Sequence, residues 1–250
     1  MNIEPSLKQR IRMLADKYET TAFLPADPSS FMHRVDGATD QEAIAFLASC
    51  LSYGARKQFF PKIQYFLDAS HGEVDHWVRS GAWRSDIADS ATCYYRLYTS
   101  HDVHCLLAAY ESMLSEHGSM KRYVAAHATT GIEAVAALCS YFAERGASKI
   151  VPKSTASACK RVCMFLRWMV RSGSPIDLGL WADIIDRRSL IMPLDTHVVQ
   201  EACRMGLLSS RTASMSTARR LTDTMLEIFP DDPLKGDFAL FGLGVDEDSL

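Results

Sequence analysis

Residues 153–207 read KSTASACKRVCMFLRWMVRSGSPIDLGLWADIIDRRSLIMPLDTHVVQEACRMGL, and this stretch decides how the whole chain is interpreted. It predicts a helix rich in Lys and Arg over 155–171, a connection punctuated by Pro and Gly, and a second helix that begins at Asp195. Asp is a favoured N-cap because its side chain accepts hydrogen bonds from the free N–H groups of the first helical turn. Those N–H groups and the helix dipole favour a charged carboxylate there. A charged carboxylate at this position suits a reaction that passes through a cation. A lysine one helix away, Lys160, suits a nucleophile.

The rest of the chain also predicts helices almost throughout. A Thr39-x-x-Glu42 capping box opens one helix, and Ser100 is placed to cap another. Neither sustained alternation of period two nor a hairpin signal is found. The sequence therefore predicts an all-α fold of ten or more helices, over 6–18, 39–51, 56–69, 73–79, 88–98, 101–116, 132–145, 155–171, 178–185, 195–205, 216–229 and 236–242.

Charge is distributed unevenly along the chain. The net charge is −3, yet residues 151–220 carry eleven Lys and Arg against five Asp and Glu. A locally basic third suits one DNA-binding face. The alternative interpretation is a set of solvated helix faces, since such patterning is common.

Other features predict a cytoplasmic protein with no membrane segment. Seven cysteines without a CxxC pair suit reduced thiols. Residues 1–20 are too charged for a secretory signal, and every long apolar run is interrupted by charge or Gly.

Two segments carry a resemblance to a known superfamily. LDTHV at 194–198, followed by RMGL at 204–207, resembles the VDTHV…RLGL segment of the helix-hairpin-helix DNA glycosylases, the endonuclease III superfamily. The 35-residue gap from Lys160 to Asp195 is nearer to that of the archaeal 8-oxoguanine glycosylases. More closely still, SACKRVCMFLRWMVR, DLGLW, PLDTHV and DFALFGLGV resemble a sparsely distributed bacterial family long known only as a domain of unknown function. That second match runs from about residue 27 to 245.

The resemblance implies a two-lobed helical fold with an active cleft between the lobes. One lobe is expected at about 40–170, and the other at 1–39 plus 175–250. The implied activity is a DNA N-glycosylase that flips out and excises a modified base from double-stranded DNA. The favoured substrate is glucosylated hydroxymethylcytosine in phage DNA, as antiviral defence. The alternatives are an 8-oxoguanine glycosylase and lyase in repair, or a helical nucleic-acid-binding module without catalysis.

The chain also departs from the superfamily. VPKSTASACK stands where the glycine-rich hairpin LPGxGxxTA would hold a DNA phosphate, so the helix-hairpin-helix element is altered. No Cys follows Cys203, which excludes the four-cysteine iron–sulfur cluster of endonuclease III. We expect neither a metal nor an organic cofactor.

The resemblance assigns two catalytic residues. Asp195 matches the carboxylate that stabilises the positive sugar, and its alternative role is a purely structural N-cap. Lys160 matches the nucleophile of the bifunctional members. Such a lysine must be neutral when it attacks. If Lys160 is instead a surface or phosphate-binding residue, the enzyme is monofunctional and leaves an intact abasic site.

Further residues are predicted to contact DNA or the flipped base. A phosphate-binding role is predicted for Lys153, Arg56, Arg161, Arg167 and Arg171, with solvated helix charges as the alternative. The segment after the AFLASCL helix matches the place of the superfamily's pocket and wedge, so Tyr53 and Gln58 are candidates there. Trp168, Phe238 and Phe241 are candidates for stacking on the base, although a Trp on an amphipathic helix is more often part of a core.

Overall fold

The computed structural model describes residues 3–247, and the chain is mostly helical, as predicted for the all-α class. Its α-helices are α1 (Pro5–Tyr18), α2 (Ala38–Leu51), α3 (Arg56–Ala69), α4 (Val74–Arg79), α5 (Trp83–Asp86), α6 (Ser100–His117), α7 (Met120–His127), α8 (Gly131–Glu144), α9 (Lys160–Val170), α10 (Thr196–Arg204), α11 (Met215–Leu226) and α12 (Lys235–Glu247). Short 3-10 helices span Thr21–Ala26, Pro28–His33 and Arg187–Ser189. None of the helices between residues 3 and 247 has the length and apolar character that crossing a membrane requires.

The helix predicted over 88–98 is wrong, because this segment forms an antiparallel hairpin. Strands β1 (Cys93–Tyr95) and β2 (Tyr98–Thr99) pair across a tight turn. The strands consist largely of Tyr and Thr, which favour extended backbone. Arg96 makes the turn at φ 51°, in the left-handed region. Thr99, not Ser100, then caps α6 in a reciprocal capping box with Asp102.

The predicted capping box at Thr39 is also wrong. Helix α2 begins at Ala38 after Gly37, which has φ 87° and supplies no side-chain cap. Glu42 is buried and accepts a hydrogen bond from the backbone N–H of Met120, at 3.2 Å. The carboxylate therefore serves the start of α7 and not the start of its own helix.

The connection after α9 is irregular where a helix was predicted over 178–185. The N–H of Leu178 donates to the carbonyl of Trp168 at 2.8 Å, and that of Trp181 to Met169 at 2.7 Å. These bonds satisfy carbonyls at the end of α9, which have no partner within the helix. The connection thus folds back onto α9.

The chain divides into two compact units. A terminal unit contains residues up to 25, 130–132 and residues from 155 onward, and a central unit contains 26–129 and 133–154. This division differs from the predicted lobes, because α9 belongs with the terminal residues and 26–39 with the central ones. Arginines of α9 pair with carboxylates from both ends of the chain, and the 3-10 helix at Pro28–His33 packs on α2. Residues 1, 2 and 248–250 of the predicted span lie outside the described residues.

Helix α12 is central to the terminal unit, where it packs against α1 and α10. Gly244 permits the close approach of α10, since a Cβ there would lie 2.8 Å from the Cβ of His197. Gly242 faces Tyr18 of α1 in the same manner. The spacing of α10 from α12 therefore depends on a residue without a side chain, and α10 is the helix that begins at Asp195.

In the central unit, α2 is the most buried helix. Its residues from Glu42 to Leu51 are all buried. It packs against α3, α4 and the 3-10 helix at Pro28–His33, while α6 packs against α4 and α7. Because residues 43–51 are buried on every side of the helix and are mostly apolar, α2 forms the core of this unit.

Candidate active site

Asp195 is the N-cap of α10, as predicted. Its Oδ1 accepts a hydrogen bond from the N–H of Val198 at 2.9 Å, and its backbone is extended at φ −108°. The side chain is half-buried. Among residues 3–247, no other side-chain hydrogen bond or ion pair involves this carboxylate. The cap therefore uses one oxygen and leaves Oδ2 able to act on a bound molecule.

Lys160 is the first residue of α9. It follows Cys159, whose φ of 47° lies in the left-handed region that few residues other than Gly adopt. This turn starts the helix abruptly at the lysine. The side chain is half-buried, and in the described part of the chain its amine makes neither a hydrogen bond nor an ion pair. The amine is thus not held in a structural salt bridge.

A third ionisable residue, Asp237, has a pKa that the charges of Asp195 and Lys160 shift in opposite directions. It lies in the first turn of α12, is 4% exposed, and accepts a hydrogen bond from the Arg167 guanidinium. Burial raises the pKa of Asp237 to about 6; Arg167 opposes the rise, the charge of Asp195 adds to it, and Lys160 opposes it. The pKa of Asp237 therefore depends on the charges of both Lys160 and Asp195, the two predicted catalytic residues.

Arg167 and Arg171 are buried, which overturns their predicted role in phosphate binding. They are 5% and 1% exposed. Both pair with Asp177, with 3.3 Å between Arg167 Nε and Asp177 Oδ1. Arg171 also pairs with Glu19 at 2.7 Å and Asp232 at 2.8 Å. With so little of either guanidinium exposed, neither can reach a DNA phosphate.

These pairs are mutually supporting. Burial alone would disfavour the charge on Arg171, but Asp177, Asp232 and Glu19 together raise its pKa. Burial raises the pKa of Asp177, and Arg167 and Arg171 counteract that rise. The cluster is a structural link that joins α9 to both ends of the chain.

Two of the four aromatic candidates for the base pocket are also core residues. Trp168 and Phe238 are fully buried. The ring of Phe238 has Arg167 at 4.3 Å, Arg171 at 5.2 Å and Phe23 at 5.6 Å, which leaves no face for a base. Phe241 is half-buried and meets the ring of His197 edge-on at 5.7 Å. It remains a candidate because it adjoins the first turn of α10.

The other candidates lie at the surface. Tyr53 is 39% exposed, with the Arg96 guanidinium 4.7 Å from its ring centroid. Gln58 and Lys153 are exposed, and Arg56 and Arg161 are half-buried. Arg161 belongs to the terminal unit, while the other four belong to the central unit. Their contacts with DNA stay predictions.

Sequence reasoning missed Asp237 and Arg96. Asp237 opens the otherwise apolar segment DFALFGLGV, and a lone carboxylate at the start of a buried helix was a usable signal. Only the phenylalanines of that segment were nominated. Arg96 gave no such signal, because its contact with the ring of Tyr53 depends on a hairpin that the sequence did not predict.

A separate cleft of about 660 Å³ lies on the terminal unit. Neither Lys160, Asp195 nor Asp237 lines it. Arg187 lines this cleft, and its guanidinium donates hydrogen bonds to the backbone carbonyls of Asp231 and Ser172, at 2.9 and 3.5 Å. Over residues 3–247, no group of three or more His, Cys, Asp or Glu side chains is arranged to hold a metal ion.

The fold and the site define a mostly helical protein of the all-α class, in which the charges of a lysine and a capping carboxylate shift the pKa of one buried aspartate. The chain belongs to the DUF2400 family, described as "Protein of unknown function (DUF2400)", whose profile matches residues 27–246. No curated protein matches the chain, and no solved structure matches it.

Proposed function

We propose that this protein is a DNA N-glycosylase that excises a modified base from double-stranded DNA. The observation that carries the proposal is the presence of Lys160 and Asp195 in one compact unit, where the charges of both act on the pKa of the buried Asp237. Lys160 is the first residue of α9, and Asp195 is the N-cap of α10. Neither is engaged in an ion pair within the described residues, so both are available for chemistry.

These groups match what cleavage of an N-glycosidic bond requires. As the bond from C1′ to the base breaks, its electron pair leaves with the base, which takes up a proton. The sugar becomes cationic, and a nearby carboxylate lowers the energy of that cation. Asp195 supplies the carboxylate through the oxygen that its cap does not use.

The sugar cation is then captured by a nucleophile. In the bifunctional mode, the lone pair of the neutral Lys160 amine forms the new bond to C1′, and the proton that the ammonium gave up has passed to solvent or to a carboxylate. In the monofunctional mode, a water oxygen attacks, loses its proton and leaves an abasic site. The unpaired state of the Lys160 amine favours the first mode.

Exposed basic residues supply affinity for the phosphate backbone. With Arg167 and Arg171 buried, the exposed cations of the basic third are Lys153, Arg188, Arg204, Arg211, Arg219 and Arg220. Lysine and arginine contacts of this kind give affinity that falls with salt and carries no sequence information. The base itself must be recognised after it is flipped out of the duplex.

We propose glucosylated hydroxymethylcytosine in phage DNA as the substrate, with 8-oxoguanine as the alternative. The support for this order is the resemblance of the chain to the sparsely distributed family described above. The two substrates make different demands, because the glucosylated base needs a pocket with room for a sugar and 8-oxoguanine does not. A panel of substrates therefore separates them directly.

The test uses purified full-length protein and matched duplexes. The panel contains plain DNA, DNA with 8-oxoguanine, uracil or alkylated bases, and phage DNA bearing glucosylated hydroxymethylcytosine. Abasic sites are scored with an aldehyde-reactive probe, with and without hot alkali, for wild type and Asp195→Asn. Sites formed on one substrate and lost in the variant support the proposal. Silence across the panel, with DNA binding intact, favours the helical binding module and overturns it.

A further inference from the structure

Asp237 has a structural partner in Arg167, yet it also lies within the electrostatic reach of the candidate site. Lys160 and Arg167 are seven residues apart, or about two helical turns, so they project from the same side of α9. Arg167 bonds directly to Asp237. The side of α9 that begins with the lysine amine therefore faces the first turn of α12.

The position and surroundings of Cys163 are consistent with this arrangement. It lies between Lys160 and Arg167 in α9 and is 1% exposed. Burial raises the pKa of the Cys163 thiol, and Cys159 and Asp237 raise it further. A thiol one turn from Lys160 thus senses the same carboxylate, as expected if Asp237 lies along this side of α9.

The charged groups around Asp237 come from three segments. Helix α9 contributes Lys160, Cys163 and Arg167, and the start of α10 contributes Asp195. The connection after α9 contributes Asp177, through the shared Arg167. Farther along α12, His197 and Glu201 of α10 face Gly244. The groups that act on Asp237 most directly are one cation and one anion of the candidate site, plus its own arginine.

We propose that Asp237 is a positioning residue that supplies a second, buried negative charge to the Lys160–Asp195 site. This inference rests on the proposed function. The ionised Asp237 carboxylate adds to the negative potential that stabilises a sugar cation beside Asp195. Arg167 holds it in place, so no reorganisation is needed when that cation forms.

The first experiment follows the Asp237 carboxyl itself, without any substrate. Lys160→Met and Asp195→Asn each remove one charge and leave the Arg167–Asp237 pair in place. In the rate measurements that come afterwards, Asp232→Asn is the matched control, since Asp232 is also buried against an arginine but pairs with Arg171.

Carbon-13 NMR follows the Asp237 carboxyl through its titration in wild type, Lys160→Met and Asp195→Asn. Loss of the lysine charge should raise the Asp237 midpoint, and loss of the Asp195 charge should lower it, each by about half to one pH unit. Midpoints that do not move in these two variants contradict the proposed coupling.

The catalytic consequence is read from single-turnover excision rates across pH. Wild type should lose rate as pH falls through about 6, where Asp237 becomes neutral. Asp237→Asn should be slower at neutral pH and lack that inflection, while Asp232→Asn keeps it. If no substrate is excised but the Asp237 midpoint moves in Lys160→Met and Asp195→Asn, the proposed function fails and the charge coupling stands. If wild type excises a base and Asp237→Asn matches its profile, the inference fails and the function stands.

Discussion

Arg167 of α9 and Asp237 of α12 form a buried ion pair that links the helix beginning with Lys160 to the helix that packs on α10. Asp195 caps α10, so this pair connects the elements that carry both candidate catalytic groups. The sequence predicted a phosphate-binding role for Arg167 and made no prediction for Asp237, yet together they connect the helices of the candidate site. The pair holds α9 against α12, and its carboxylate interacts with the charges of Lys160 and Asp195.

Asp195→Asn should slow excision strongly while leaving the fold intact. Asn is as good an N-cap as Asp, so the bond to the Val198 N–H is kept. The lost charge should reduce the excision rate by about 10²- to 10³-fold, the usual effect of removing one transition-state partner. Single-turnover kinetics and thermal unfolding measure the two properties. Asp195→Ala, which also removes the cap, should cost about 1 kcal/mol of stability in addition. Full activity in Asp195→Asn would contradict the assigned role.

Lys160→Gln should prevent covalent trapping of the protein on its substrate. Borohydride reduces the imine between a lysine and the opened sugar, so wild type should become cross-linked to DNA. Lys153→Gln is the control, since Lys153 is an exposed lysine outside α9. It should trap normally and bind DNA with a slightly weaker salt dependence. If both variants trap as well as wild type, another amine is the nucleophile.

Arg171→Met should destabilise the protein strongly without weakening DNA binding. The substitution leaves Asp177, Asp232 and Glu19 buried near one another without their shared cation. Removing one partner from a buried ion pair typically costs about 3–5 kcal/mol. Urea unfolding measures this loss, and Arg211→Met at an exposed site should change stability by less than about 0.5 kcal/mol. A weaker salt dependence of DNA binding in Arg171→Met, with stability unchanged, would restore the phosphate-contact interpretation.

Asp237→Asn should alter how stability depends on pH. Asp237 differs from a typical ion-paired aspartate, because its pKa is raised from 3.8 to about 6. The folded state therefore binds this proton more tightly than the unfolded state. The stability associated with the protonated form is present below pH 4 and is lost as pH rises through 6, a change of about 3 kcal/mol. The free energy of unfolding of the variant, relative to wild type, should increase by that amount between pH 4 and 7. Parallel curves in urea titrations across this window would show that Asp237 does not titrate as described.

Gly244→Ala should push α10 away from α12. The added Cβ would lie 2.8 Å from the Cβ of His197, closer than such contacts permit. Ala favours helices over Gly by about 1 kcal/mol, so a site with free space would gain stability. Here overpacking should outweigh that gain and give a net loss of about 1–3 kcal/mol. Chemical denaturation and excision kinetics both report the change, since α10 carries Asp195. A stabilised Gly244→Ala would show that α10 and α12 do not approach so closely.

The helical class and most helix boundaries could be predicted from the sequence, because they follow from local patterns. Apolar residues repeat at helical spacing, and Asp195 caps α10 through its own side chain. The hairpin at Cys93–Thr99 was missed, since its turn depends on a left-handed Arg96 and not on a Gly or Asn. Likewise, the Glu42 carboxylate was assigned to its own helix but caps α7, a partner 78 residues away in the chain. Long-range partners leave no local periodicity to detect.

The sequence by itself determined which residues carry candidate chemistry: Lys160 and Asp195 stand out by type and by resemblance, and Asp195 also by its place at a predicted helix start. Only the tertiary structure decided which charges face solvent. In the sequence, Arg161, Arg167 and Arg171 are equivalent arginines of one predicted helix. The burial of Arg167 and Arg171 depends on carboxylates that distant segments contribute. The same is true of Asp237, whose proximity to both candidate groups arises from the packing of α9, α10 and α12. Charge and helix propensity are local properties of a sequence, whereas burial and pairing are properties of the folded chain.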